Sequence, residues 1–325
     1  MRVIIGADLG GTNIVVGAVP EDGSRVYALA SERTPVQQGA EAVVQVIVRM
    51  IGACVEGTRR EAPGAEVAGV GVGAPGPLDT KRGIVIFAPN LTWRNMPLRD
   101  RIADAVQLPS TLDNDANCAV FGEWWQGAAR GARFVVGLTI GTGVGGGIVL
   151  DGQLFHGASD VAGEIGHTSI DLNGRRCKCG NYGCIEAYAS GPAIAARAVE
   201  GLQAGATSKL AQYVNGDLKA IDAQVVYRAS HDGDDFAKEV VRDTARFLGA
   251  TIASVVNLLN PEVVVICGGV TLAGEQLFAP LREEVRRRAF EPAVAACRIV
   301  PGALTGTAGV YGAAATFKVQ RWGQV

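Results

Sequence analysis

The sequence predicts an α/β protein with two domains. The chain has 325 residues, of which 48% are hydrophobic and 19% are charged, so it can fill two separate cores. Near the C-terminus, the strand Val263–Cys267 runs into Gly268-Gly269 and then into a helix predicted to end near Arg288. In α/β proteins this order lets bare backbone approach a nucleotide at the carboxyl end of a strand. Two glycine-rich hairpins, described next, indicate that the architecture is duplicated.

The chain opens with a hairpin whose turn is rich in glycine. Apolar strands predicted for residues 3–7 and 14–19 flank the turn Asp8-Leu9-Gly10-Gly11-Thr12-Asn13. The glycines let backbone N–H groups turn toward an anion, and the Thr12 hydroxyl adds a donor. No lysine follows and no helix comes next, which excludes a Walker loop and a dinucleotide fingerprint. Asp8 would repel a phosphate directly, so we expect it to act through a hydrated Mg²⁺ ion.

A second copy of this pattern favours phosphate binding over an ordinary hairpin turn, which explains the first copy equally well. An apolar strand over Phe134–Ile140 leads into Gly141-Thr142-Gly143, and a returning strand is predicted for residues 147–150. Both turns carry a threonine among glycines. We interpret the pair as an internal duplication in which each half supplies one phosphate loop.

Two further turns carry side chains that fit either a ligand-binding or a local structural role. A buried strand predicted for residues 67–72 ends in Gly73-Ala74-Pro75-Gly76, and the strand Ile84–Ala88 is followed by Asn90. Asn90 could bind a ligand or simply cap its turn. Asp115 stands at the start of a helix predicted for residues 116–125. From local sequence alone, Asp115 is better explained as the N-cap than as a general base.

The densest chemistry lies between Glu164 and Glu186. This segment contains the four nitrogen and sulfur ligands that tetrahedral Zn²⁺ prefers, namely His167, Cys177, Cys179 and Cys184. Four protein ligands leave no open position, so we expect a structural zinc. The two glutamates bracket the cluster, which makes them candidates for binding a hydroxyl-rich substrate. The alternative is that the four residues lie near one another by chance.

Composition and charge exclude several classes of protein. The formal net charge is −2 and the isoelectric point is about 6.0, so there is no general basic surface for nucleic acid. No apolar run reaches the roughly 18 uninterrupted residues of a membrane span. The cysteines outside the cluster are scattered singly, as buried thiols are in a reducing compartment. We expect a soluble cytoplasmic protein that binds neither membranes nor nucleic acid.

Taken together, these motifs resemble the ROK family of sugar kinases and repressors, and within it the zinc-containing bacterial glucokinases. The resemblance spans nearly the whole chain. The motifs that carry it are Asp8-Leu9-Gly10-Gly11-Thr12-Asn13, Gly73-Ala74-Pro75-Gly76, Ala88-Pro89-Asn90, Asn114-Asp115-Ala116-Asn117, Gly141-Thr142-Gly143, Glu164-Ile165-Gly166-His167, the loop from Cys177 to Glu186, and Gly268-Gly269. The sugar-side motifs are highly specific, whereas the glycine pairs are not.

The resemblance implies a duplicated ribonuclease-H-like fold of the actin and hexokinase type, with two α/β domains and a cleft between them. The small first domain would consist of residues 1–115 and a C-terminal helix over residues 308–325. The larger second domain would span residues 116–307 and contain the zinc loop, residues 164–186. We expect a hinge near residues 113–118, and the family implies a homodimer or homotetramer.

The same resemblance implies a role for each motif residue. Asp115 corresponds to the catalytic base. The zinc ligands correspond to His167, Cys177, Cys179 and Cys184. The sugar ligands correspond to Gly73, Asn90, Asn114, Asp115, Glu164, His167 and Glu186. The site for ATP, which binds with Mg²⁺, corresponds to Asp8, Gly10, Gly11, Thr12, Asn13, Gly141, Thr142, Gly143, Gly268 and Gly269.

The implied reaction is phosphorylation of the 6-hydroxyl of glucose by ATP. Kinases for mannose, fructose, N-acetylglucosamine or N-acetylmannosamine stay open as alternatives, because hydroxyl selectivity depends on loop shape. A sugar-sensing regulator is disfavoured, since the repressors resembled carry a winged-helix domain ahead of the kinase-like body, whereas here the first phosphate loop begins at Asp8. The sequence determines neither the oligomeric state nor the use of polyphosphate as donor.

The zinc loop and the phosphate loops lie far apart in the sequence. We therefore expect loss of the zinc to weaken sugar binding and to leave ATP binding nearly unchanged.

Overall fold

The computed structural model describes all 325 residues, Met1–Val325. Its strands are β1 (Arg2–Leu9), β2 (Asn13–Pro20), β3 (Tyr27–Arg33), β4 (Glu66–Ala74), β5 (Leu78–Asp79), β6 (Ile84–Ala88), β7 (Trp93–Met96), β8 (Ser110–Asn114), β9 (Phe134–Ile140), β10 (Val144–Leu150), β11 (Gln153–Leu154), β12 (Val263–Cys267) and β13 (Arg298–Pro301). Its α-helices are α1 (Ala40–Glu61), α2 (Leu98–Val106), α3 (Asp115–Gln126), α4 (Glu186–Ala189), α5 (Gly191–Gln203), α6 (Ala223–His231), α7 (Asp235–Leu259), α8 (Glu275–Arg288), α9 (Glu291–Ala296) and α10 (Ala308–Trp322). None of these helices has the length and apolar character that a membrane span requires.

Two five-stranded sheets share one arrangement of strands. The first has the order β3-β2-β1-β4-β8, in which β2 is antiparallel to β1 while β4 is parallel to both β1 and β8. The second has the order β11-β10-β9-β12-β13, in which β12 is parallel to both β9 and β13. This repeated order confirms the duplication predicted from the two hairpins. A third, three-stranded sheet, β5-β6-β7, has no counterpart in the second half.

The chain divides into two compact units. The first consists of Met1–Arg133, Gly147–Gly163 and Ala303–Val325, and the second of Phe134–Gly146 and Glu164–Gly302. Helix α3 belongs to the first unit by its contacts, although we predicted that the first domain ends at residue 115. The domain boundary concerns which parts move as rigid bodies, and it stays a prediction, as does the hinge near residues 113–118.

In the first unit, helix α10 packs closely against the sheet where the strands carry glycine. A Cβ at Gly71 would lie 1.8 Å from the carbonyl oxygen of Ala313, and one at Gly6 would lie 2.1 Å from that of Val310. Gly312 approaches α3 in the same way, because its Cβ would lie 1.5 Å from the carbonyl oxygen of Cys118. Only glycine permits such backbone contacts. The C-terminal helix expected over residues 308–325 is α10, and it packs on the first unit.

In the second unit, the long helix α7 has the ends that its sequence predicts. The Asp234 carboxylate accepts a hydrogen bond from the Ala237 N–H group and caps the start. Asn260, in the left-handed conformation before Pro261, ends the helix. The helix predicted directly after Gly268-Gly269 begins later, at α8, because a short 3₁₀ turn over Gly269–Ala273 intervenes.

Candidate active site

The residues assigned to the site divide between the two units, and the structure gathers them within each unit. In the first unit, the carboxyl ends of three parallel strands meet at one edge of the sheet. The strand register sets Asp8 of β1 beside Gly73 of β4, and Gly73 beside Asp113 of β8. Asp115 follows β8 directly and begins α3. Residues far apart in sequence therefore share the edge where α/β sheets bind their ligands.

The cap of α3 is Asn114 and not Asp115, so the local interpretation of Asp115 was wrong by one residue. The Asn114 Oδ1 atom accepts hydrogen bonds from the N–H groups of Ala116, at 2.9 Å, and Asn117, at 3.1 Å. Asn114 keeps an extended backbone, whereas Asp115 is already helical. Asp115 is half-buried at the first turn, where the helix dipole favours an anion. Its Oδ1 atom accepts from the Ala116 N–H group at 2.8 Å, while the Asn114 side chain caps the helix.

Gly73 brings the start of α3 close to the sheet. A Cβ at Gly73 would lie 3.1 Å from the Cys118 sulfur and 3.5 Å from the Asp115 Cα atom. A side chain at this position would push the helix, and Asp115 with it, away from the strand edge. The Nδ2 atom of Asn114 donates to the Gly76 carbonyl oxygen at 3.3 Å, which ties the same corner to the turn after β4.

Asp8 is crowded by a second carboxylate. Burial, and then the charge of Asp115, raise the pKa of Asp8 to about 7. Asp8 also lies against the first turn of α10, since a Cβ at Gly309 would lie 2.1 Å from its Oδ2 atom. A hard cation would offset the repulsion between these carboxylates, and carboxylate oxygens are the ligands that Mg²⁺ prefers. The first unit therefore fits the predicted Mg²⁺ at this position.

The first phosphate loop is a tight turn with its outer face exposed. The N–H group of Gly10 donates to the Asn13 carbonyl oxygen at 2.9 Å, and the Thr34 hydroxyl donates to the Gly10 carbonyl oxygen at 2.7 Å. Gly11, Thr12 and Asn13 are exposed. Asn90 is also exposed and lies beside this loop, because a Cβ at Gly11 would be 3.8 Å from the Asn90 Cβ atom.

A buried carboxylate that no sequence motif indicates, Asp113, lies in β8 two residues before Asp115. Asp113 is only 1% exposed, and its Oδ2 atom lies 2.9 Å from the Nε2 atom of His156 and 3.3 Å from that of Gln320. Its Oδ1 atom accepts from the Asn114 N–H group at 2.8 Å. The hydrogen bond with Asp113 raises the pKa of His156. Asp113 adjoins Asn114-Asp115 in sequence, but no local signal points to its histidine partner.

In the second unit, the other phosphate loop lies beside the glycine pair after β12. The Gly141 N–H group donates to the Gly143 carbonyl oxygen at 2.9 Å and closes the turn. Gly268 has a positive φ of 93°, and a Cβ there would lie 2.3 Å from the Ile140 carbonyl oxygen. Gly269 and Thr142 are exposed. The structure thus brings Gly141, Thr142, Gly143, Gly268 and Gly269 to the carboxyl ends of two adjacent parallel strands.

The four predicted zinc ligands are close together. Their ligand atoms all lie within 4.8 Å of one another. The sulfurs of Cys179 and Cys184 are 3.7 Å apart, and the Cys177 sulfur is 3.8 Å from the Nδ1 atom of His167. Tetrahedral zinc with Zn–S bonds of about 2.3 Å requires sulfur–sulfur separations of about 3.8 Å. The donor set and its spacing therefore fit Zn²⁺.

The side chains around this cluster include the predicted sugar ligands. With Nδ1 facing Cys177, the Nε2 atom of the half-buried His167 is the ring nitrogen available to a ligand. Glu164 is exposed, and its carbonyl oxygen accepts from the His167 N–H group at 3.1 Å. Glu186 begins α4, and its Oε2 atom accepts from the N–H group of Val144 at 3.0 Å. Because Val144 follows the second phosphate loop, this hydrogen bond joins the zinc loop to a phosphate loop that lies far from it in the sequence.

The raised pKa of Asp8 predicts a gain in stability when its charge is removed. Between the unfolded value near 3.8 and the folded value of about 7, the folded chain holds a proton that the unfolded chain releases. Stability therefore falls as pH rises through this window. We expect Asp8→Asn to raise the free energy of unfolding by about 1–3 kcal/mol at pH 8, allowing for partial exposure.

This prediction is checked by melting temperatures of ligand-free and metal-free protein from pH 4 to 8. The difference between Asp8→Asn and the unaltered chain should grow up to about pH 7 and then stay constant. Asp104→Asn, on the exposed side of α2, is the matched control and should show no such growth. A difference that does not change with pH would contradict the raised pKa of Asp8.

Comparison with known proteins assigns the family. The chain matches the model of the ROK family over residues 4–320. It is 39% identical over 316 residues to a glucokinase of Thermotoga maritima, covering 97% of both chains. It is 37% identical over 316 residues to a glucokinase of Halalkalibacterium halodurans, covering 96% of this chain and 93% of the relative.

A solved structure extends this likeness to the fold. The structure of a ROK family glucokinase from Streptomyces griseus, in complex with glucose and AMPPNP, matches with a TM-score of 0.82 at 36% identity. The match covers 96% of this chain and 98% of that one. The predicted fold class, duplicated and of the actin and hexokinase type, is confirmed by this match. The chain belongs to the ROK family.

Proposed function

We propose that this protein is an ATP-dependent glucokinase, which transfers the γ-phosphoryl group of ATP to the 6-hydroxyl of glucose. The observation that carries the proposal is the geometry at the junction where β8 ends and α3 begins. There Asp115 begins the helix that Asn114 caps, and its charge contributes to the raised pKa of Asp8. The names of the relatives from Thermotoga maritima and Halalkalibacterium halodurans support the activity, and the glucose and AMPPNP in the Streptomyces griseus structure support the substrates.

Asp115 acts as the general base in this proposal. It accepts the proton of the 6-hydroxyl as that oxygen forms a bond to the γ-phosphorus, while the bond from the γ-phosphorus to the bridging oxygen of ADP breaks. Asn114 contributes by fixing the first turn of α3, so that Asp115 keeps one position. Asp113 accepts a hydrogen bond from the Asn114 N–H group and thereby helps to hold Asn114 in place.

The two glycine-rich loops supply N–H donors to the phosphates, with Gly10, Gly11, Thr12 and Asn13 in the first unit and Gly141, Thr142 and Gly143 in the second. Such fixed donors stabilise the charge that spreads over the transferred phosphoryl group. Gly268 and Gly269 leave room for the nucleoside. Mg²⁺ that binds with ATP neutralises phosphate charge, and Asp8 is the carboxylate that would hold it through water.

The sugar hydroxyls are bound by carboxylates, amides and one imidazole. The first unit contributes Gly73, Asn90 and Asn114, and the second contributes Glu164, His167 and Glu186. A buried group that loses its hydroxyl partner is left unpaired, so such a site rejects analogues that lack the hydroxyl. Zinc held by His167 and the three cysteines would be structural, and it would fix the ring so that Nε2 faces the sugar.

Replacing the base tests the catalytic assignment. We expect Asp115→Asn to lower kcat by about 10²–10⁴, because a positioned base contributes about that much. The dissociation constant for glucose should change little, since the amide keeps the size of the carboxylate and one acceptor oxygen. Steady-state kinetics and isothermal titration measure the two effects. Turnover near that of the unaltered chain would remove Asp115 from the chemistry.

Removing one zinc ligand tests the metal assignment. We expect about one zinc per chain in the purified protein and none after Cys184→Ser. The KM for glucose should rise by about 10–100-fold, as when groups around a metal ligand are disrupted. The KM for ATP should rise as well, because Glu186 hydrogen-bonds the Val144 N–H group.

The matched control is Cys297→Ser, a cysteine outside the cluster, which should keep the zinc and both KM values. Metal analysis and steady-state kinetics provide the measurements. A folded, zinc-free Cys184→Ser protein with a normal KM for glucose would show that the cluster stabilises its own loop and does not position the sugar ligands.

A further inference from the structure

The carboxylate of Glu186 lies between the zinc loop and the second phosphate loop. Its Oε1 atom is 3.7 Å from the Cys177 sulfur, on the side of the zinc ligands. Its Oε2 atom accepts from the N–H group of Val144 at 3.0 Å, directly after Gly143. The Glu186 side chain therefore contacts a predicted zinc ligand with one carboxylate oxygen and the phosphate loop with the other.

A side chain at residue 143 would meet the Glu186 carboxylate. A Cβ at Gly143 would lie 2.6 Å from the Oε2 atom and 3.5 Å from the Cδ atom of Glu186, and no other residue is within 4 Å of that position. The φ of Gly143 is not positive, so the backbone does not require glycine there. Gly141, in the same loop, has open space around its Cβ position. A methyl group at residue 143 would therefore displace the Glu186 carboxylate.

The duplicated loop in the first unit has no such carboxylate. A Cβ at Gly11 would meet only Asn90, at 3.8 Å, which is an ordinary contact distance. The two copies therefore differ: only the second copy receives a hydrogen bond acceptor from a predicted sugar ligand. The contact is reinforced at Gly166, two residues after Glu164, where a Cβ would lie 1.8 Å from the Val144 carbonyl oxygen.

We propose that Glu186 is a positioning residue for the phosphate loop as well as a sugar ligand, and that it thereby couples sugar binding to nucleotide binding. This inference rests on the proposed function. A sugar hydroxyl that donates to Oε1 fixes the carboxylate, and the fixed Oε2 atom holds the Val144 N–H group and the loop. The nucleotide then meets a loop that is already ordered, and its binding is stronger. By linkage, nucleotide strengthens sugar binding by the same factor.

Calorimetry of two loop variants tests this coupling. The dissociation constant for glucose is measured with and without saturating Mg²⁺ and AMPPNP, a nucleotide that is not hydrolysed. In the unaltered chain we expect AMPPNP to strengthen glucose binding about 5–20-fold, within the usual range of coupling between sites. Gly143→Ala should weaken glucose binding and reduce the coupling factor to nearly one. The added methyl displaces the flexible end of Glu186, so the protein should still fold.

Gly141→Ala is the matched control. It adds the same methyl group to the same loop, and it is expected to change nucleotide affinity because Gly141 lines the phosphates. Its coupling factor should nevertheless equal that of the unaltered chain, since its methyl group does not reach Glu186.

A double-mutant cycle separates an effect through Glu186 from an effect on the loop alone. Once Glu186→Ala has removed the carboxylate, adding Gly143→Ala should produce no further loss of coupling, whereas independent effects would add. Coupling that survives in Gly143→Ala would overturn the inference and leave the proposed function standing. An unaltered chain that binds neither glucose nor AMPPNP would instead overturn the proposed function itself.

Discussion

The burial of Asp8 near a second carboxylate, Asp115, is the constraint on which the candidate site of the first unit depends, and close backbone packing maintains it. Strands β1, β4 and β8 set the two carboxylates at one edge, and glycines at the contacts let α3 and α10 approach without intervening side chains. Burial in this packing, and then the charge of Asp115, raise the pKa of Asp8 to about 7. A site that holds like charges together is costly to fold and suited to bind a cation with a polyanion.

In the second unit, a cluster of zinc ligands would position the site residues, where the first unit uses close backbone packing. Four ligand side chains fit a zinc ion, and Glu186 begins α4 two residues after Cys184, the last of these ligands. The Glu186 carboxylate, whose position a bound zinc would help to fix, accepts a hydrogen bond from the Val144 N–H group. A structural ion would thereby influence both the sugar ligands and a phosphate loop, although it takes no part in the chemistry.

The sequence predicted those features that depend on local pattern. Paired Gly-Thr hairpins indicated the duplication, and the spacing of His167 and the cysteines indicated the zinc cluster. The helix cap was misplaced by one residue, because Asn114 and Asp115 are both good caps and only the backbone dihedrals decide between them. The pairing of Asp113 with His156 and the contact of Glu186 with Val144 join residues that lie about 40 positions apart. Such contacts follow from strand register and loop packing, which local sequence does not encode. The assignment of individual residues to sugar and ATP depends on the family resemblance and stays a proposal.

The central claim is tested most directly by the choice of sugar and the position of the new phosphate. Initial rates are measured with ATP and Mg²⁺ for glucose, mannose, fructose, N-acetylglucosamine and N-acetylmannosamine, and each product is identified by ¹³C and ³¹P NMR. We expect the highest kcat/KM for glucose, with the phosphate on the 6-oxygen. A higher kcat/KM for another sugar, a phosphate on another oxygen, or no turnover of any sugar would contradict the proposed glucokinase.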